Sequence, residues 1–420
     1  MQRIDISADE LVSALLQIAA SETVCILDSC GVHHLGSHLL IAGIKPISVH
    51  EIAGEEIVKS LTFLDEALRA KDLASIFTIS YDFGKRLLNI TPEKFINKEP
   101  AIFLAQFNAL IVHDYNTGIT NIVGNADHFD FIRSNLISNT GKFNPEVSAA
   151  ETTVHSNFTR TEYLSAIEAI KEQIRDGNTY QTNLTQQLSA QLPEGLTPQV
   201  IFHRLRLDHP APFAAFITRL DSTVVSASPE RFFDVDSKMR KISTSPIKGT
   251  RPRGADFVED SALRQALLNS EKDRAENTMI VDLLRNDIGR ICEFGSVVVE
   301  KLCDLEEHPT LFHLVSTISG EVNRNTAFSD ILKAVFPCGS ITGAPKISTM
   351  RIIDEIEPSP RGLSMGAIGY YVPSPEPNDQ GKGILWDFGR LLRLERRNTN
   401  DGNSRSGRHV QRWRWHRHRQ

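Results

Sequence analysis

The sequence has no basic field. Its 420 residues include 46 Lys or Arg against 52 Asp or Glu, a formal net charge of −6. That balance offers nothing to hold a polyphosphate backbone and points to small-molecule chemistry. A disulfide framework is also missing. The five cysteines (Cys25, Cys30, Cys292, Cys303 and Cys338) are odd in number and scattered, as expected of reduced thiols in a cytosol. No apolar run approaches the roughly 20 residues that span a bilayer. The stretch from Met1 to Ala20 carries Asp5, Asp9 and Glu10 and has no basic leader, so no signal peptide is expected. The chain reads as cytoplasmic, with neither nucleic acid nor membrane as a partner. Several familiar motifs fail as well. Cys303, His308 and His313 lack the spacing and the fourth ligand of a zinc site. Asp387-Phe388-Gly389 has no kinase catalytic loop or glycine-rich loop before it, and Gly381-Lys382-Gly383 is too short for a dinucleotide fingerprint.

What is present is a chain with 40% hydrophobic residues, enough for a substantial core. Val24–Leu27 and 109–112 read as strands and Glu55–Ala70 as an amphipathic helix. From Thr159 onward Tyr163, Ile167, Ile170 and Ile174 keep helical spacing, and Gly177 supplies the stop. A strand is expected over 178–188 and one long helix over 261–285. Strands at 297–299 and 314–318 and a helix at 328–335 follow. Strands and helices alternate without a repeat, which predicts an α+β protein. Residues 1–150 read as an N-terminal region packed on a catalytic region at 151–385. From 386 to 420 the periodicity fades into a basic, Trp- and Arg-rich tail, expected to lack order.

Polar residues stand in unusual settings within the second region. Lys248 lies in Pro-Ile-Lys-Gly-Thr-Arg-Pro-Arg-Gly (246–254), where the prolines and glycines forbid a helix. A loop lysine is ordinarily solvated. Desolvation together with Arg251 and Arg253 would instead make it a usable nucleophile. Asp273 and Glu276 sit three apart on a helix, on one face, either as a solvated pair or as oxygen ligands for Mg²⁺. Residues 336–346, rich in small residues and bounded by Lys346, can gather backbone N–H groups into an anion nest. Glu230 closes an apolar strand, where partial burial would suit a general acid. His313 lies in an apolar strand, a setting in which histidines are more often hydrogen-bonded core residues.

Taken together, these segments resemble the chorismate-using enzymes, and within them the component I subfamily of the aminodeoxychorismate synthases. The matching runs are TRTEYLSAIEAIKEQIRDGNTYQTNLTQ from Thr159, SASPERFF from Ser226, PIKGTRPRG from Pro246 and EKDRAENTMIVDLLRNDIGR from Glu271. FHLVSTISGE from Phe312, FPCGSITGAPKISTMRIIDEIEP from Phe336 and RGLSMGAIGYY from Arg361 complete the set. The resemblance implies a large sandwich of two antiparallel-rich sheets flanked by helices. It implies that Lys248 attacks C2 of chorismate, that Glu230 protonates the departing 4-hydroxyl, and that ammonia then enters at C4. The ammonia would come from a glutamine amidotransferase subunit, and the product belongs to para-aminobenzoate and folate synthesis. His313 matches the family's active-site histidine. Glu276, helped by Asp273, matches a Mg²⁺ ligand, and Ser340, Ile341, Thr342, Gly343 and Ala344 match the substrate-carboxylate loop. Ser29, Pro212 and Phe213 resemble the walls of a tryptophan pocket found in relatives. Anthranilate synthases carry alanine where Lys248 stands. Their chemistry, or a non-catalytic scaffold that docks the glutaminase, is the alternative.

The chain departs from the pattern in places. Cys338 replaces a glycine, and Ser364 stands where an aromatic is common. After Tyr371 the family's Ile-Arg-Thr strand, its Gly-Gly-Gly-Ile-Val loop and a final Mg²⁺-binding glutamate are missing. With permitted codons and a shift of one base, 412–420 reads GGGGIVID and 393–400 reads DWNVAIRT. The tail is thus expected to be an out-of-frame reading of the missing element, and the chain as written to be poorly active.

Overall fold

The computed structural model describes all residues except 36, 71, 91–98, 142, 144–151, 237–238, 309–310, 374–381, 388–390, 396–411 and 419–420. From 382 onward it describes backbone strands alone.

Two antiparallel sheets, one of eleven strands and one of ten, form the centre of the molecule. The eleven-stranded sheet runs in the order Gln2–Ile4, Ile119–Gly124, Ala109–Asp114, Leu39–Ile44, Val24–Asp28, Phe213–Thr218, Ser222–Ser228, Leu391–Glu395, Arg412–His418, Thr185–Gln191, Val154–Ser156. The other runs Ile247–Pro252, Leu311–Glu321, Lys241–Thr244, Glu230–Asp236, Lys382–Asp387, Ala367–Val372, Ala74–Ile79, Ile102–Phe107, Ser48–Ile52, with Val298–Glu307 also paired to Leu311–Glu321. Both sheets draw strands from before residue 150 and after it. The α+β class and the flanked two-sheet sandwich are therefore as expected.

Alternation within strands builds the layers. Cys25 and Leu27 face the other sheet, with Phe213, Ala215, Ile76, Phe103, Ala105 and Phe107 in the same apolar cluster. Their neighbours Val24, Ile26, Ala214 and Phe216 point the opposite way, onto Leu11, Leu15 and Ile18 of the helix Ala8–Ile18. Phe77, Ile79, Phe233 and Ile242 cover the outer face of the second sheet, under Ile280 and Leu284 of the helix Glu271–Gly289. Strands covered on both faces read as unbroken apolar runs, which is why 24–28 and 102–107 show no alternation in the sequence. Gly43 has a local duty. A Cβ there would lie 2.5 Å from the Phe107 ring, so its bare backbone admits that side chain between the sheets.

The expected long helix is two helices, Phe257–Leu268 and Glu271–Gly289. Ser270 breaks it by accepting a bond from the Asp273 N–H as the cap of the second. The expected strand over 178–188 is likewise interrupted, as Gln181–Thr182 and Thr185–Gln191. Asn183 leaves the ladder to bind residues 340 and 342 through its amide groups. The region 386–420, expected to lack order, supplies the strands Leu391–Glu395 and Arg412–His418 and the end of Lys382–Asp387. The remainder of it lies outside the described residues. All five cysteines are free thiols, and no described helix is long and apolar enough to cross a membrane.

Phe107 is 1% exposed between the two sheets. Phe107→Ala should lower the unfolding free energy by about 4 kcal/mol, read as a shifted urea midpoint with unchanged slope.

Candidate active site

Only Pro229 separates Ser222–Ser228, in the eleven-stranded sheet, from Glu230–Asp236, in the other. Proline has no N–H to give a ladder, so it suits this point where the chain changes sheets. Glu230 is the first residue after the crossing, and its side chain reaches two neighbouring segments. Its Oε1 accepts from the Ile247 N–H at 3.3 Å and from Ser340 Oγ at 3.2 Å. Burial pushes its carboxyl up, and the Lys248 charge pulls it back in part.

Lys248 lies on the edge strand Ile247–Pro252 rather than in a loop. Ile247 pairs with Val315 and Thr250 with His313, so this strand advances three residues while its partner advances two. Such a bulge re-aims a side chain. Gly249 has φ +90°, and a Cβ there would lie 3.0 Å from both Asp273 Cβ and Leu267 Cδ1, so glycine lets the bulge press against the helices. Lys248 is 3% exposed. Its Nζ donates to the Ser340 carbonyl at 3.1 Å and stands 3.5 Å from Glu276 Oε1. The cations expected to crowd it are engaged elsewhere. Arg251 pairs with Asp273 at 2.8 Å. Arg253 pairs with Asp260 at 2.6 Å and stacks on the Phe312 ring at 4.5 Å. Lys248 thus faces oxygen, not positive charge.

Glu276 accepts from Gln181 Nε2 at 2.6 Å, and the other amide atom, Gln181 Oε1, is buried without a hydrogen-bond partner among the described residues. A carboxylate beside an orphaned amide oxygen suits a hard dication that retains part of its water. Asp273 lies one turn before Glu276, held by Arg251.

The segment Gly339–Thr342 is a single helical turn, followed by Gly343–Ala344 paired to Gln181–Thr182. Gly343 has φ +139°, and a Cβ would fall 2.0 Å from the Gln181 carbonyl, so the pairing requires glycine. Ser340, Ile341, Thr342, Gly343 and Ala344 are all buried. Arg361, 3% exposed, ties this turn down by donating to the carbonyls of Ile341 and Asn183 and to Glu357. Lys346, read as part of the nest, faces away from it and pairs with Asp287 at 2.6 Å.

His313 is 9% exposed, with Nδ1 2.9 Å from Thr250 Oγ1. Burial, then the neighbouring His308 and His34, bring its pKa down to about 4. Ser29, Pro212 and Phe213 are buried on the eleven-stranded sheet, where Ala214 pairs with Asp28 and Phe213 with Ser228. Asp28, beside Ser29, is engaged by Arg206 at 2.9 Å and Tyr115 at 2.8 Å. The structure therefore gathers Lys248, Glu230, Glu276 and Ser340 into one contact network, sets Asp273 and His313 at its border, and leaves the three pocket residues on the other sheet. Sequence reasoning missed Gln181, Asn183 and Arg361. The first two sit inside the Thr159 run and Arg361 opens the last one, so those motifs carried their signal.

The family model for chorismate binding enzyme matches residues 24–376. The chain belongs to this family. Among curated chorismate-family relatives, aminodeoxychorismate synthase component 1 of Escherichia coli is 40% identical over 294 residues, 69% of this chain and 63% of that protein. The aminodeoxychorismate synthase of Streptomyces griseus is 47% identical over 212 residues, 50% of this chain and 29% of that protein. An anthranilate synthase component 1 of Haloarcula marismortui is 42% identical over 227 residues, 54% of this chain and 46% of that protein. The chain thus spans less than two-thirds of the length of these relatives. Among solved structures, anthranilate synthase component I from Streptococcus pneumoniae superposes with a TM-score of 0.73 at 24% identity, over 92% of this chain and 87% of that one. The menaquinone-specific isochorismate synthase of Escherichia coli superposes with a TM-score of 0.68 at 12% identity, over 98% and 85%. These likenesses show the chorismate-binding fold.

The folded chain holds the Glu230 proton more tightly than the unfolded chain does. Stability from this group is therefore present at low pH and lost as pH rises from about 4.5 through the raised value. Urea melts at several pH values should show wild type losing stability across that window relative to Glu230→Gln. A constant difference between the two would contradict the assignment.

Proposed function

We propose that this chain binds chorismate and aminates it at C4, giving 4-amino-4-deoxychorismate. The observation that carries the reading is the buried Lys248 amine, set between the Ser340 carbonyl and Glu276 with Glu230 on the same network. In its neutral form Nζ bonds to C2 of the substrate as the C4–O bond breaks. Glu230, whose affinity for a proton burial raises, gives its proton to the departing hydroxyl, which leaves as water. Ammonia then bonds to C4, the Nζ–C2 bond breaks, and the proton of the new ammonium group returns to Glu230. A Mg²⁺ ion held by Glu276 and Gln181, with Asp273 one turn away, would supply positive charge for a ring carboxylate. His313, neutral at physiological pH, borders the strand that carries Lys248 and can accept or donate one hydrogen bond. The first-turn N–H groups at Ser340 and Ile341 suit a second carboxylate, with Thr342 to Ala344 fixing the turn.

Several supports come from outside the geometry. Two relatives bear this activity's name, and component 1 in one of them denotes a protein with a separate partner. We take that partner to be a glutaminase delivering ammonia, and the free thiols fit a cytoplasmic enzyme. The anthranilate reading is favoured by the Haloarcula relative. Lys248 opposes it, because the resemblance places alanine there in anthranilate synthases. Assay of the purified chain with chorismate, ammonium and Mg²⁺ should give aminodeoxychorismate, slowly because the family's motifs after Tyr371 are missing, and at a rate that Lys248→Ala lowers by about a further 100-fold. An amination rate unchanged in that variant would refute the reading, as would anthranilate from the wild-type chain.

A further inference from the structure

One cluster of metal-ligating side chains lies outside this network. His34, in the segment after the strand Val24–Asp28, belongs to the eleven-stranded side of the sandwich. Glu306, near the end of Val298–Glu307, and His308 belong to the other side. Fold topology brings them together across 272 positions of sequence, with His34 Nδ1 2.5 Å from Glu306 Oε2 and His308 Nε2 3.3 Å from the same oxygen. One donor atom from each residue lies within 4.8 Å of the others.

Two observations set this cluster apart from an ordinary ion pair. His34, its side chain 1% exposed, uses Nδ1 on Glu306 and has Nε2 buried with no hydrogen-bond partner among the described residues. His308 Nε2 meets the same oxygen at ion-pair distance, and it too is buried without a hydrogen-bond partner among the described residues. One carboxylate oxygen thus meets a nitrogen of each ring, and both Nε2 atoms are left for a cation placed among the three side chains. Their positions are held from outside. Arg253 donates to the His308 carbonyl at 3.0 Å, Glu306 is fixed in register opposite His313, and Phe213 packs edge-on against the His34 ring at 5.9 Å.

We propose that His34, Glu306 and His308 form a binding site for a transition-metal dication of the zinc class, joining the two sheets beside the His313 strand. Two imidazoles and one carboxylate match zinc, cobalt or nickel rather than magnesium, which takes oxygen ligands. Ions of this class bind at about 2.0–2.2 Å from N and O donors, so donors bound to one ion lie somewhat over 3 Å apart. Closing the cluster therefore requires only small movements. Spacing along the sequence could not reveal the site, because His34 is remote from the other two ligands.

The test uses the full chain, stripped of metal and titrated with Zn²⁺ in excess Mg²⁺, then with Co²⁺ for its visible spectrum. One equivalent should bind, raise the thermal midpoint and give the intense visible bands of a four-coordinate cobalt ion. His308→Gln and Glu306→Gln alter side chains that are 12% and 23% exposed and should fold. Each should weaken binding by about tenfold or more and lose the cobalt bands, with an unchanged circular dichroism spectrum. Absence of Zn²⁺ uptake by the wild-type chain would overturn the proposal. So would uptake that both folded variants retain undiminished. The readout is metal binding, so neither result bears on amination.

Discussion

A lysine amine removed from water is costly unless charge and hydrogen bonds replace what water supplied, an effective penalty of several kcal/mol in proteins. Lys248 has one carbonyl and one carboxylate for this purpose. Much of the surrounding structure serves to hold those two acceptors. The bulge on the edge strand aims the side chain inward, and Gly249 lets that strand lie close enough to the helix Glu271–Gly289 for Glu276 to reach it. The Ser340 carbonyl is fixed by Asn183 at 2.8 Å, and Arg361 fastens the same turn from behind. A group held with so few partners is easily recruited by a substrate that offers it a carbon atom.

The sandwich matters because it gives the site two independent sources of side chains. Pro229 carries the chain between sheets and delivers Glu230 to the mouth of the second. Gln181 and Asn183, at the break in a strand that would otherwise run straight, arrive from the other side. Burial then sets the chemistry. Glu230 keeps its proton more firmly than a solvated carboxyl, and His313 stays neutral. A carboxyl that holds its proton beside a buried amine, with an uncharged imidazole on the adjoining strand, supplies what the proposed amination asks of the site.

Much of this was legible in the sequence. The helical spacing after Thr159 and the stop at Gly177 mark the helix Arg160–Arg175. The odd company of Lys248, Glu230 and residues 336–346 marked one site, because each segment breaks regular patterning at a polar residue. Other features were hidden for physical reasons. A serine within a helical pattern does not announce a cap until the turn before it is seen to end, so 261–285 read as one helix. Arg251 and Arg253 are near Lys248 along the chain, yet in a strand their side chains find Asp273 and Asp260 on helices packed alongside. Lys346 is taken by Asp287, a partner no local pattern could indicate. The His34 cluster joins residues from opposite sheets, which only the finished topology brings together.

The most direct measurement is peptide mapping by mass spectrometry after the chain is incubated with chorismate and Mg²⁺ but no ammonia. The account predicts a covalent increment, chorismate less one water, on the peptide containing Lys248 and on no other lysine, released when ammonium is added. Turnover without any such increment, or an increment at a different lysine, would contradict it.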